Sequence, residues 1–187
     1  MIELVIVVGI IALLATTVIL VINPVKIFQE ARDSQRVADV GQLNSALGLY
    51  LATAASIQLD GGGGTCAANC YVLAGTNTTT GCGGRYGTKT AIATSSQAVN
   101  GTGWIPVDLT QVSSGSPLSA MPRDPRSNAT HYYSYACDNS GGNQNYELGA
   151  KMESVRYSNG GADDVESTDG GNSSTSFESG NAPGLAL

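Results

Sequence analysis

The chain has 187 residues, of which 42% are hydrophobic and only 13% are charged. This length fits one domain of ordinary size and leaves no room for two large ones. Aromatic residues make up only 6% of the chain, which argues against a large aromatic core. The formal net charge of −6 argues against a dedicated nucleic-acid-binding protein, because such proteins need Lys and Arg to meet phosphates.

The first predicted element is an uncharged apolar run from Leu4 to Ile22. About 20 such residues span a bilayer as a helix, and a plain one-span membrane anchor is the simplest interpretation. A cleaved signal peptide fits less well, because no Lys or Arg precedes the run and no A-x-A site follows it. Glu3 is costly at the edge of hydrocarbon. It therefore lies among lipid headgroups or pairs with a cation in a packed assembly, such as a neighbouring chain's α-amino group.

A break in the helix is predicted at Asn23-Pro24, because proline lacks an N–H and clashes with the preceding turn. Beyond it, residues 25–56 form an amphipathic helix that ends near Ser56, before the GGGG run at 61–64. The apolar stripe comprises Ile27, Ala31, Val37, Val40, Leu43, Leu47 and Tyr50 or Leu51. Its charged residues, Lys26, Glu30, Arg32, Asp33, Arg36 and Asp39, are expected to form a solvated face with pairs at i+3 and i+4.

The two consecutive helical segments, from Glu3 to Ser56, would together be roughly 80 Å long at 1.5 Å per residue. The remaining part of the chain is too small to bury such a length. The first half must therefore be covered by lipid or by other copies of the chain.

The stretch MIELVIVVGIIALLATTVILVINPVKIFQEARDSQRVADVGQLNSALGLYL resembles the N-terminal helix of type IV pilins and type II secretion pseudopilins. The matching features are I-E-L at the start of an apolar run, then A-R-D-x-x-R and L-x-x-A-L-x-x-Y. Glu3 matches the acid that, in this family, pairs with the N-terminal amine of a neighbouring subunit. That acid is normally the fifth residue of the mature chain, after a leader. Here it is the third, so two residues are missing, the start is an internal Met, or the chain is shortened.

The resemblance implies an α+β fold of the type IV pilin kind, a long N-terminal helix packed on a small antiparallel β-sheet. Residues 1–56 would form the helix, with 1–24 as the membrane or filament-core half and 25–56 as the amphipathic half. Residues 57–187 would form a disulfide-linked head. The resemblance also implies trimming and N-methylation by a prepilin peptidase. The subunit would lie in the cytoplasmic membrane, and assembly machinery would then polymerise identical copies into an extracellular pilus.

Short strand-like runs are predicted in the head at 88–94 and 103–110. The segments 131–139 and 144–154 show better alternation and predict an antiparallel hairpin with one buried face around the turn SGGNQ. Residues 172–187 are expected to be a flexible tail.

Four cysteines, Cys66, Cys70, Cys82 and Cys137, predict two disulfides outside the cell, and three connectivities remain open. A zinc site built from all four thiolates is the alternative, although C-x3-C followed by widely spaced single cysteines is poor zinc spacing. Disulfides would offset a thin core.

Two kinds of surface site are also candidates. The sequons at Asn77, Asn100, Asn128 and Asn172 are candidate glycosylation sites, with chance occurrence as the alternative. The acidic residues Asp163, Asp164, Glu166 and Asp169 in a Gly-flexed loop are candidate calcium ligands, with a solvated acidic loop as the alternative. No cofactor is otherwise required.

The sequence contains no nucleophile elbow, P-loop or G-x-G-x-x-G motif, and it has one histidine, His131, so we do not expect an enzyme. The favoured function is a structural filament subunit, a major pilin. The alternatives are a minor or tip pilin acting as an adhesin or DNA-uptake module, or a pseudopilin of a type II secretion system. The basic residues of 57–187 are dispersed, so no nucleic-acid partner is expected.

Overall fold

The structure is a computed structural model that describes the backbone of residues 1–187 and the side chains of all residues except 20–22. Two helices come first, α1 (Ile2–Ile22) and α2 (Pro24–Thr53). Asn23 between them has φ 45° and ψ 80°, a left-handed conformation that Asn tolerates better than most side chains. Pro24 begins α2, where its missing N–H costs no hydrogen bond. The predicted break is confirmed, and α2 ends slightly before Ser56.

The head is built on one five-stranded sheet with the order β2-β1-β3-β4-β5. The strands are β1 (Asn69–Leu73), β2 (Thr90–Thr94), β3 (Ser134–Asp138), β4 (Asn145–Ala150) and β5 (Phe177–Gly180). β1 and β2 are parallel, whereas the other three pairings are antiparallel. The expected wholly antiparallel sheet is therefore wrong at this edge. The link from β1 to β2 passes through a short turn with positive φ angles at Gly81, Cys82 and Gly83, labelled α3 (Thr80–Gly84), and it is long enough for a parallel crossover.

The strand predictions have mixed outcomes. The run at 88–94 contains β2, and the predicted hairpin is confirmed as β3 and β4. The run at 103–110 is not a strand, because its apolar side chains instead cover the core from an irregular segment that ends in a 3₁₀ turn, Leu109–Gln111. The flexible tail at 172–187 is also wrong, since this segment contains β5, which pairs along β4.

The main core lies between α2 and one face of the sheet. Val40, Leu43 and Leu47 of α2 pack towards Tyr135 and Leu148 of the strands. The opposite face of the sheet is also covered, because Cys70, Cys82, Tyr86 and Tyr132 form a second buried cluster. The hairpin therefore has two buried faces, not the single one predicted.

Tyrosines dominate this core despite the low aromatic content of the chain. Buried tyrosines are Tyr50, Tyr71, Tyr86, Tyr132, Tyr133, Tyr135 and Tyr146. Their hydroxyls find partners, as a buried O–H requires. Tyr146 donates to Asn44 Oδ1 at 2.6 Å, and Tyr135 donates to the Leu59 carbonyl at 2.9 Å. The expectation against a large aromatic core is wrong, because nearly all the tyrosines are concentrated in the head.

The four cysteines form two disulfides, Cys66–Cys137 and Cys70–Cys82. The structure thus selects one of the three connectivities. The zinc alternative is wrong, because each cysteine sulfur is bonded to the sulfur of another cysteine. The first bond ties the loop after α2 to β3 across 71 residues, and the second closes a loop of 12 residues that leads into α3.

Replacing each disulfide by a pair of serines should destabilise the head unequally. The loss of chain-entropy restraint predicts about 4.5 kcal/mol for Cys66–Cys137 and about 3 kcal/mol for Cys70–Cys82. Urea unfolding can be followed by the fluorescence of Trp104, the single and fully buried tryptophan. An equal loss for the two pairs, or the reverse order, would contradict the prediction.

Candidate functional site

The described surface of α1 is exposed and almost wholly apolar, with Glu3, Thr16 and Thr17 as its polar side chains. Its large side chains, from Ile2 to Ile19, are each more than half exposed. An 18-residue window, Ile2–Ile19, has a mean hydropathy of 2.7, so this helix is long and apolar enough to cross a membrane or to act as a signal sequence. The apolar surface continues past the break into Val25, Ile27 and Phe28 of α2. Ile27 and Ala31 were expected in the apolar stripe that packs on the head, but both are exposed, because the head begins further along α2.

Glu3 lies at the start of this apolar surface. Its Oε2 accepts a hydrogen bond at 3.0 Å from the α-amino group of Met1 of the same chain. Both groups are almost fully exposed.

A buried cluster of charged side chains lies where α2 meets the head. Arg36 is fully buried, and its guanidinium donates from Nε and Nη2 to both oxygens of Asp124, at 2.6 and 2.9 Å. Its Nη1 donates to Asp33 Oδ1 at 2.7 Å, one turn back on the helix. Nη2 also donates to Glu153 Oε1 at 2.6 Å. One arginine on α2 thus holds three carboxylates.

Two further arginines complete the cluster. Arg32 donates to both oxygens of Glu153, at 2.9 and 2.7 Å, and Arg126 donates to Glu153 Oε2 at 3.2 Å. The buried Asp33 carboxylate accepts from the backbone N–H groups of Glu153 and Ser154. With three guanidinium groups and three carboxylates, the cluster is neutral as a whole. We call these six residues the anchor cluster: Arg32, Asp33, Arg36, Asp124, Arg126 and Glu153.

The charges of the anchor cluster hold each other ionised. Burial acts to raise the pKa of Glu153, but hydrogen bonds from Arg32 and Arg36 outweigh it and lower that pKa to about 2. Burial likewise opposes ionisation of Asp124, and the bonds from Arg36 bring its pKa below the usual value. The Glu153 and Asp124 carboxylates therefore remain ionised at neutral pH.

The expectation that Asp33 and Arg36 belong to a solvated face is wrong. The predicted i+3 pair exists, but both side chains are completely buried. Their positions precede Val40, Leu43, Leu47 and Tyr50 at alternating steps of three and four, so they continue the buried stripe. That spacing was the available signal. Asp124 and Glu153 had no such signal, because they reach Arg36 from 88 and 117 residues away.

His131 lies near the anchor cluster. Its Nδ1 is buried and makes no hydrogen bond with the residues that the structure describes. Burial first, and then the positive charge of Arg36, lower the pKa of His131. The histidine is therefore expected to be neutral at physiological pH.

Three of the four sequons adopt the same local turn. The side-chain oxygens of Asn77, Asn100 and Asn128 each accept from the backbone N–H two residues later, at 3.1, 3.3 and 2.9 Å. Asn100 and Asn172 are exposed, while Asn77 and Asn128 are half-buried. Glycosylation of these positions stays a prediction.

The acidic loop uses its carboxylates on separate partners. Asp163 binds Arg156, Glu166 accepts from the N–H of Met152, and Asp169 accepts from the N–H of Glu178.

Bonds from the Ser167 hydroxyl and from backbone N–H groups lower the pKa of Asp164 to about 2. Among the described residues, no group of three or more acidic, His or Cys side chains is arranged to hold a metal ion. Calcium binding stays a prediction that gains no support from this geometry.

Two buried glutamates lie side by side in the sheet, separately from the anchor cluster. Glu147 of β4 and Glu178 of β5 are both nearly fully buried. Glu147 Oε2 accepts from the backbone N–H of Leu187 at 3.2 Å, and Glu178 Oε2 accepts from that of Ser173 at 3.0 Å. Burial, and then the charge of Glu178, raise the pKa of Glu147 to about 8.

Comparison of this chain with protein-family models, with curated proteins and with solved structures finds no match.

Replacing Arg36 by methionine should destabilise the head by about 3–5 kcal/mol, because three buried carboxylates lose their shared cation. Trp104 fluorescence in urea is again the readout, since the Trp104 Nε1 bonds to the Pro122 carbonyl close to Asp124. The matched control is Arg123→Met, because Arg123 is exposed and makes no hydrogen bond with the described residues; its effect should stay within about 0.5 kcal/mol. Equal losses for the two variants would contradict a special role for the anchor cluster.

The stability of the head should decline as the pH rises from about 4.5 to about 8. The folded pKa of Glu147 lies above its unfolded value of 4.5, so the folded state binds an extra proton in this window. Glu147→Gln should flatten most of this decline, whereas Glu30→Gln on the surface of α2 should not. Thermal melting across the pH range tests this, and an unchanged slope in Glu147→Gln would contradict it.

Proposed function

We propose that this chain is a structural subunit, a major pilin, that polymerises through its N-terminal helix into an extracellular type IV pilus-like filament. The observation that carries the proposal is the fully exposed apolar surface of α1. Monomeric soluble proteins rarely expose contiguous apolar surface beyond a few hundred Å². Such a helix needs a cover, which lipid supplies before assembly and identical helices supply afterwards.

The anchor cluster also supports separate roles for α1 and for the head. It fixes α2 to the head from Arg32 onward, so the head packs on α2 and not on α1. The head therefore does not use α1 to complete its own core. The left-handed Asn23 lies between the two parts and would let α1 adjust its direction as it leaves lipid and enters a bundle.

Register in such a bundle needs a directing contact. Aliphatic side chains gain little by exchanging lipid for each other. A buried charge pair can supply direction, because a displaced register leaves an uncompensated charge in an apolar environment. Glu3 is our candidate acid, and the N-terminal amine of a neighbouring copy is its partner. A head-to-tail contact of this kind does not close on itself and builds an open helical polymer.

The proposal is tested by electron microscopy of filaments sheared from the cell surface, with peptide mapping of the same fraction. Uniform thin fibres composed mainly of this chain are expected. Fibres in which the chain is rare would favour a minor or tip pilin, and a membrane fraction without fibres would favour a pseudopilin or a simple anchored domain.

Glu3→Ala should leave the chain in the membrane and strongly reduce the yield of filaments, because the bundle loses its directing charge. Glu30→Ala removes a half-buried surface carboxylate of α2, which pairs with Arg156, and serves as the matched control. The yield of sheared filament relative to membrane-bound chain is the measurement. A normal yield from Glu3→Ala would contradict the pairing.

A further inference from the structure

A polar cleft of about 430 Å³ opens on the head, and no residue of α1 or of the anchor cluster lines it. It lies between the turn that ends α3, the loop before β3 and the segment before β5. Asn, Ser and Thr side chains make up half of the residues in its wall, namely Asn77, Thr130, Asn172, Ser173, Thr175 and Ser176. This volume falls within the range of small-molecule sites, but the polar lining suits a polyhydroxylated ligand better than an apolar one.

The cleft also differs from the rest of the chain in charge. Arg85 and Lys151 both line it, and none of the described residues that line it is acidic. The chain as a whole carries a net charge of −6. Two cations without a lining carboxylate therefore form a local site that favours an anion.

Arg85 is held in place by one end of its guanidinium. Nη1 donates to the Tyr132 carbonyl at 3.1 Å, to Ser134 Oγ at 2.8 Å and to the Gly149 carbonyl at 3.1 Å. The guanidinium also lies 4.0 Å from the centre of the Tyr132 ring. Within the described residues, Nε and Nη2 make no hydrogen bond. These two donors form the edge that binds a carboxylate or a similar group in bidentate fashion.

The turn next to Arg85 holds the Tyr132 ring in position. Tyr132, on which the guanidinium stacks, donates its hydroxyl to the Cys82 carbonyl at 2.7 Å. Gly83 has φ +82°, and a Cβ there would lie only 2.1 Å from the Tyr132 hydroxyl. The Cys70–Cys82 disulfide fixes the same turn to β1. Arg85 is thus held in place before a ligand binds, which lowers the entropic cost of binding.

We propose that this cleft binds an acidic saccharide, with the free edge of Arg85 on the anionic group, Lys151 as a second cation and the hydroxyl and amide side chains on the sugar hydroxyls. The inference concerns the head alone and does not depend on polymerisation. It gives the outer surface of the chain a recognition function in addition to the proposed structural one.

The test is calorimetric titration of the full chain in detergent micelles with glucuronic acid and with glucose. These sugars differ in one carboxylate, so saturable binding is expected for glucuronic acid only. Protein produced without glycosylation keeps Asn77 and Asn172 unmodified at the rim. Lys151→Gln should weaken the binding by about three- to fivefold, because Lys151 is exposed and acts as a point charge.

Arg85→Lys should weaken it by at least about tenfold, because the charge remains while the bidentate edge is lost. The matched controls are Lys26→Gln and Arg123→Lys, which change exposed side chains outside the cleft and should leave the affinity unchanged. Melting curves of each variant show whether the head is still folded, and Lys151→Gln removes no hydrogen bond between described residues, so it keeps the test valid if Arg85→Lys is unstable.

Three results would overturn the proposal. Equal binding of glucose would remove the role of the cations, and an unchanged affinity in Lys151→Gln would place the ligand elsewhere. Inorganic phosphate that bound as tightly as glucuronic acid would show a simple anion site with no contribution from the sugar hydroxyls.

Discussion

The buried guanidinium of Arg36 is the contact on which the arrangement of helix and head depends. It joins Asp33 on α2 to Asp124 and Glu153, which come from two separate parts of the head. An apolar contact at this position would tolerate sliding of α2 along the sheet, because dispersion is not directional. A bidentate ion pair does not tolerate it, since every displaced oxygen becomes an unpaired buried charge. The cluster thus sets how far along α2 the head begins.

That position decides which apolar surface remains uncovered. Val40, Leu43 and Leu47 lie beyond the anchor cluster and enter the core, whereas Ile27 and Phe28 lie before it and stay exposed. The uncovered surface therefore extends from α1 across the break and onto the first turns of α2. The anchor cluster therefore divides the apolar residues of the two helices into an exposed part before it and a buried part after it.

Features produced by interactions between neighbouring residues were easier to predict from the sequence than features produced by contacts between distant residues. The break at Asn23-Pro24 was predictable because its causes are local, a proline ring and a residue that accepts positive φ. The burial of Asp33 and Arg36 was visible in their spacing, but their polarity led to the opposite interpretation. β5 looked like a tail because its Ser- and Gly-rich sequence has little strand propensity. Its order comes from pairing with β4, which a local pattern does not contain. The cysteine connectivity had no sequence signal at all.

The Cys66–Cys137 bond and the β1–β3 pairing both join parts of the chain that are far apart in sequence. Contacts of this kind form slowly, because the entropy of closing a long loop is lost before any packing is gained. α2 can form quickly from local contacts, but Asp124 and Glu153, the partners of its buried Arg36, lie 88 and 117 residues away along the chain. Until these pairs form, the chain carries an exposed apolar helix and a half-built head, the kind of species that aggregates. If the chain is the proposed membrane-inserted subunit, early insertion of α1 into lipid would cover its apolar surface. Partly folded chains would then aggregate less while the head completes its folding.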